Sequence, residues 1–218
     1  MSAKRSLQGA WFIRTIALCG SLVSLIIGVG CTDSSTSGLR HSWTSQDVVP
    51  SALVEMELDL GDVWLPMEVN EAVERWMLHF ATDGRSTFEE VLSRGGRYSE
   101  MIRTKLRERG MPNELLYLAM IESDFYAYAR SHGSAIGMWQ FMGPTARQYG
   151  LRIDAYVDER YDPVKATAAA LDYLNVLYQQ YGSWYLAAAA YNAGPTRVSS
   201  VLRQYTDGRM GDEDLYWE

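Results

Sequence analysis

Glu122 and Ser123 stand at the end of an apolar run in which Leu115, Leu118, Ala119 and Glu122 recur at i, i+3, i+4 and i+7, a single stripe of a helix. Glu122 therefore points where the core points. Burial disfavours the charged form of a carboxyl group, so a glutamate held there stays protonated near neutral pH and can act as a general acid, for instance on a glycosidic oxygen. The plain alternative is a glutamate at the helix margin that reaches water. Two further segments carry chemistry-bearing side chains. Ser131 to Ala146 is a glycine-punctuated loop holding Trp139, Gln140, Phe141 and Met142. Aromatic faces can cover sugar C–H surfaces while amides pair with hydroxyl and acetamido groups, although Trp139 and Phe141 could equally be packing residues. Ala190-Tyr191-Asn192-Ala193-Gly194 is the other segment, and as local sequence it is also a helix terminus with glycine as C-cap.

Ordinary glycosidases pair the acid with a second carboxylate. No strong candidate for it is visible. Asp124, on a continuing helix, would lie about 200° around from Glu122. Asp158, Glu159 and Asp162 fall in a charged connection suited to salt bridges and capping. His41, His79 and His132 are scattered without metal-ligand spacing, so no metal and no cofactor are expected.

The elements that must position these residues read as helices. Val69, Val73, Trp76, Met77 and Phe80 keep a helical spacing; Ser86 and Glu89 form a capping box before Phe88, Val91 and Leu92; Tyr98, Met101, Ile102, Lys105 and Leu106 predict a third helix ended by Gly110. The Glu122 helix opens around Pro112 and Asn113. Asp162-Pro163 is an N-cap and N1 pair for a helix with Thr167, Ala170, Leu171, Leu174, Leu177 and Tyr178 inward, stopped by Gly182. Ser183 caps the next, through Ala187 to Ala190, and Pro195 opens a last one with Val198, Val201, Leu202 and Tyr205 on one face. Without β-type alternation after Pro66, the fold class is all-α.

The chain has 218 residues, 47% of them hydrophobic, enough for one well-cored domain with appendages. Residues 1–30 read as a signal peptide: Lys4, Arg5 and Arg14 form a basic front and Thr15 to Gly30 is apolar and acid-free. Cys31 follows small residues Gly28 and Gly30 and precedes a Ser/Thr-rich run. This resembles a bacterial lipoprotein processing site, with Cys31 lipidated, although Gly28 stands where that pattern prefers leucine; ordinary signal-peptidase cleavage fits too. Cys19 would leave with the leader, so no intramolecular disulfide is expected. Residues 31–65 read as the lipidated cysteine and a flexible tether, and residues 66–218 as the functional domain. Removing 1–30 deepens the net charge from −7 to −10. Nucleic acid is thereby excluded as a partner, and an acidic substrate would need a shaped cleft.

Taken in order, Glu122-Ser123, Gly137-Met138-Trp139-Gln140-Phe141-Met142 and Ala190-Tyr191-Asn192-Ala193-Gly194 resemble the three signature motifs of the soluble-lytic-transglycosylase-type catalytic domain. Arg97-Tyr98, Asp158-Glu159-Arg160 and Gly182-Ser183-Trp184 make the chain most similar to the membrane-bound lytic murein transglycosylase D branch, over roughly Val69 to Trp217. The resemblance implies a helical lysozyme-like fold, shared with goose-type lysozyme. It also implies non-hydrolytic cleavage of the β-1,4 bond between N-acetylmuramic acid and N-acetylglucosamine in peptidoglycan, leaving a 1,6-anhydro end. Glu122 would be the single acid and base, Ser123 would bond near the acid and the sugar, Gln140 and Met142 would line the cleft, Tyr191 would orient the Glu122 carboxyl, and Asn192 would support it. The partners implied are peptidoglycan strands and a membrane reached through the lipid. The expected location is the periplasmic face of the cell envelope, at the outer membrane because Thr32 replaces the aspartate that retains some lipoproteins at the inner one. Two departures stand out: Gly143 is an extra residue before Pro144, and relatives place a further cleft-lining tyrosine beyond the point where this chain ends. A muramidase on the same fold and a non-catalytic glycan-binding protein are the competing readings.

Overall fold

The computed structural model describes Leu65, residues 70–206 and residues 209–211. The expected signal peptide, Cys31 and, Leu65 apart, the expected tether fall outside the described residues, as does Val69 of the first expected helix. Eight α-helices and two short 3-10 turns make up the described part: α1 (Glu71–Ala81), α2 (Arg85–Gly95), α3 (Ser99–Glu108), a 3-10 turn Asn113–Leu115 running into α4 (Leu116–Ser123), α5 (Gly143–Gln148), a 3-10 turn Glu159–Tyr161, α6 (Pro163–Tyr181), α7 (Trp184–Ala193) and α8 (Pro195–Tyr205). Among the described residues, β-pairing is confined to isolated bridges at Arg130–Ile136, Ile136–Phe141 and Ile153–Asp158. The all-α expectation holds.

Helix starts follow capping chemistry. Asn70 accepts from the N–H groups of Ala72 and Val73, Asp162 from Val164 and Lys165, and Ser183 from Leu186, each satisfying donors that the first helical turn leaves without intrahelical partners. The expected capping box at Ser86 is not formed. Helix α2 begins at Arg85 behind Gly84, with no side-chain cap, and Glu89 instead pairs with Arg85 Nε at 2.9 Å. Helix α8 also departs from expectation: Val198 and Leu202 are buried, but Val201 and Tyr205 face solvent, so its apolar face is narrower than the sequence pattern.

The longest helix, α6, is the spine. Ala166, Thr167, Ala169, Ala170, Leu171, Leu174 and Leu177 are buried along it. Its small alanines let α7 and α3 approach closely, and it packs most extensively on α7. Two core clusters meet along α6. One joins Phe88, Ile102, Leu106, Leu115, Leu118, Trp139 and Leu171; the other joins Leu177, Tyr181, Leu186, Ala190 and Leu202. Tyr173, Trp184 and Tyr191 pack against both, so the seam between the clusters is aromatic. No described helix is long and apolar enough to cross a membrane.

Candidate active site

Helix α4 carries Glu122 to the seam and ends one residue later. Leu115, Leu118 and Ala119 on its stripe are buried, while Glu122 is partly buried. The end of α4 is abrupt. Asp124 and Phe125 both take left-handed backbone conformations, φ 53° and 58°, which cost energy in non-glycine residues and persist only where surroundings enforce them. Arg94 Nη1 donates to the Asp124 carbonyl at 2.7 Å, and the Phe125 ring lies so close to Gly95 that a Cβ there would fall 2.6 Å from it. Asp124 is therefore not a helical neighbour of Glu122 as extrapolation of the periodicity implied; it caps α4 and is exposed.

Burial pushes the Glu122 carboxyl up from 4.5 to about 7, against a smaller lowering by one hydrogen bond, Asn192 Nδ2 to Glu122 Oε1 at 3.1 Å. A carboxyl poised there is half protonated near neutral pH, as a general acid that must later act as a base requires. Asn192 comes from the last turn of α7, seventy residues away in sequence. Tyr191, expected to orient the acid, instead donates its hydroxyl to the Trp139 carbonyl at 2.8 Å. Burial first, then the charges of Glu122 and Tyr173, hold its phenol well above the ordinary range, so it remains a neutral donor.

The loop between Ser131 and Met142 is held carbonyl by carbonyl. Gly137 O accepts from Gln140 Nε2 at 2.8 Å, Met138 O from Ser123 Oγ at 2.7 Å, Trp139 O from Tyr191, and Phe141 O from Arg160 Nη1 at 3.2 Å. Three separate parts of the chain, together with Gln140 of the loop itself, thus fix one short stretch of backbone, leaving little freedom for its neighbours. Ser123 bonds the loop rather than the acid, and the Gln140 amide is engaged within the loop, where Gln140 itself has φ 46°. Trp139 and Phe141 are buried, and Trp139 Nε1 donates to Thr167 Oγ1 of α6 at 3.0 Å, so these aromatics are packing residues. Met142 is exposed at the start of α5, available to a ligand.

Arg160 was named in sequence only as part of a supporting motif, yet it is central to this arrangement. It is buried, paired with Asp158 through Nη2–Oδ2 at 2.7 Å and Nε–Oδ1 at 2.9 Å, and donates to the carbonyls of Ser134 and Phe141. That guanidinium holds the Asp158 carboxyl below the usual carboxylate range. Gly137, with φ 83°, lies directly on the Arg160 carbonyl, where a Cβ would come within 1.9 Å. Only glycine fits. Glu159 pairs with Lys165 and Asp162 caps α6, so the charged connection is structural, as its composition suggested.

Among the described residues the arrangement brings together a protonatable acid beside an aromatic seam, one amide on that acid, and a pinned loop. Comparisons with known proteins fit this geometry. The Transglycosylase SLT domain family matches residues 100–210, which include all three motifs. The chain is 35% identical over 134 residues to "Membrane-bound lytic murein transglycosylase D" of Escherichia coli, in strain K12 and equally in strain O6:H1, covering 61% of this chain and 29% of each relative. A relative from Alteromonas sp. (strain M-1), named for tributyltin chloride resistance, is 38% identical over 106 residues, covering 48% of this chain and 51% of its own. The chain thus spans less than a third of the length of the Escherichia coli relatives and about half of the Alteromonas one. With the family matched across half of the chain and the helical fold in place around its motifs, this chain belongs to the Transglycosylase SLT domain family and has its lysozyme-like fold.

Proposed function

We propose that the chain is a peptidoglycan lytic transglycosylase that cleaves the β-1,4 bond between N-acetylmuramic acid and N-acetylglucosamine without water, with Glu122 as the only acid and base. The observation that carries this reading is the Glu122 carboxyl at about 7, raised by burial and lowered a little by Asn192, with no charged side chain among the described residues perturbing it. Both retaining and inverting hydrolases need a second carboxylate. An intramolecular nucleophile does not.

In this reading Glu122 gives its proton to the glycosidic oxygen as the bond to the muramic C1 breaks, and N-acetylglucosamine leaves as the free alcohol. The muramic C6 hydroxyl then attacks C1 and passes its proton to the Glu122 carboxylate. One C–O bond breaks, one forms, and the acid is regenerated. Asn192 holds the carboxyl through both steps, the pinned loop presents Met142 and the Gln140 region to the strand, and the aromatic seam keeps water scarce around C1.

We further propose that residues 1–30 export the chain, that Cys31 is lipidated, and that residues 31–65 tether the domain at the periplasmic face of the outer membrane. The apolar stretch, the basic front and the membrane-bound name of the Escherichia coli relatives support this placement. Labelled palmitate should enter the wild-type protein and not Cys31→Ala; labelling of neither would overturn lipidation at Cys31. Activity itself is tested by mass analysis of muropeptides released from purified peptidoglycan. Products with anhydro ends from wild type, absent with Glu122→Gln, are expected. Reducing ends would make the protein a muramidase, and no release by either protein would leave a glycan-binding domain.

A further inference from the structure

Tyr126, Tyr128 and Tyr161 form a run of neighbouring rings that the reaction proposed above does not use. The Tyr126 and Tyr128 centroids lie 6.2 Å apart, edge to face, and those of Tyr128 and Tyr161 lie 5.9 Å apart, tilted at 31°. Tyr126 is 51% exposed and Tyr128 is 69% exposed. A single surface tyrosine calls for no explanation, but contiguous exposed rings leave apolar area in water without return unless something covers it.

These rings are fixed rather than loose. The Arg94 guanidinium lies 5.9 Å from the Tyr126 centroid while Arg94 also bonds the Asp124 carbonyl, and Tyr161 follows directly after buried Arg160. The segment that carries Tyr126 and Tyr128 is built into the candidate active site. Tyr126 N–H donates to the Ser123 carbonyl at 2.9 Å, Ala129 N–H closes a turn on the Tyr126 carbonyl at 3.1 Å, and Gly137 N–H donates to the Ala129 carbonyl at 2.9 Å. The tyrosine segment is thus clasped between the end of α4, one residue from Glu122, and the loop that flanks the acid.

We propose that Tyr126, Tyr128 and Tyr161 are an accessory subsite that stacks on sugar rings of the glycan strand away from the bond being cleaved. Rigid aromatic faces with hydroxyl tips suit pyranoses, which present C–H faces and equatorial polar groups together. Continuity with the Glu122 site favours the strand already engaged there over an unrelated partner. The proposal rests on peptidoglycan as the ligand, and its test does not require turnover.

The experiment uses full-length Glu122→Gln, co-sedimented with purified insoluble peptidoglycan. Adding Tyr126→Ala and Tyr128→Ala together should weaken the apparent affinity about tenfold, whereas Tyr128→Phe, which keeps the ring, should stay within about twofold of the parent. Tyr128→Ala alone, at the most exposed position of the three, should show part of the loss with an unchanged melting temperature, separating a binding effect from misfolding. The same losses should appear with glycan strands stripped of stem peptides. Unchanged affinity in the Ala variants would overturn the proposal, and so would a loss that vanishes on stripped strands, which would assign the rings to peptide. If wild type releases no product while the Ala variants still lose binding, the catalytic reading fails and the sugar subsite stands.

Discussion

At the scale of residues, the same burial that makes Glu122 useful makes it costly. Its folded-state value of about 7 lies above the 4.5 of an ordinary glutamate, so the native state holds a proton that the unfolded chain releases between those two values. Stability therefore falls as pH rises from about 4.5 to about 7, and above that range the full penalty of a buried charge remains. The difference corresponds to at most about 3 kcal/mol. Glu122→Gln is accordingly expected to raise the melting temperature at pH 8 and to leave it nearly unchanged at pH 4, while lowering turnover by about 10²–10⁴-fold; parallel melting curves and peptidoglycan release measure both. Wild-type kcat/KM should decline as pH rises through about 7, where the acid loses its proton. Asn192 is the one group that lowers the Glu122 value, so Asn192→Ala should move that decline to higher pH. A decline that stays in place would mean that Asn192 acts on the substrate rather than on the acid.

At the scale of elements, the loop from Ser131 to Met142 decides the geometry, and it was the least legible part of the sequence. Helix faces were readable because periodicity reports burial directly: Leu115 in the 3-10 turn that runs into α4, Leu118 and Ala119 on α4, and Ala170, Leu171 and Leu174 on α6, are all buried. Loop conformation is set by long-range side-chain-to-carbonyl bonds, and nothing local in Ser123, Tyr191 or Arg160 announces which carbonyl each will meet. The partners of Tyr191 and Asn192, the Trp139 carbonyl and the Glu122 carboxyl, have the same origin: adjacent residues on α7 point in directions that depend on how α7 sits against α4. The Ser86 box failed for a different reason, since a helix capped at Gly84, two residues earlier, places Ser86 inside its first turn. Arg160→Ala should cost about 3–5 kcal/mol, because it leaves Asp158 and two carbonyls without their donor, and chemical denaturation measures it. Gly137→Ala should be comparably damaging through its clash with the Arg160 carbonyl, whereas Ser123→Ala should cost about 1–3 kcal/mol and slow turnover by loosening the loop.

At the scale of the whole molecule, two cores on one spine leave an aromatic seam, and the acid lies at that seam. If the proposed function holds, the negative charge of the chain leaves shape and stacking rather than bulk attraction to hold an anionic wall polymer, so binding to peptidoglycan should weaken little between low and physiological salt. Co-sedimentation across a salt series checks this; a steep loss with salt would point to an electrostatic contact elsewhere on the chain. The central claim is that one carboxyl and an intramolecular hydroxyl replace the two carboxylates of a hydrolase. Mass spectrometry of muropeptides released by the wild-type chain tests it most directly. Products lighter by one water than the reducing-end products of a muramidase are the predicted result, and reducing ends of full mass would contradict the account.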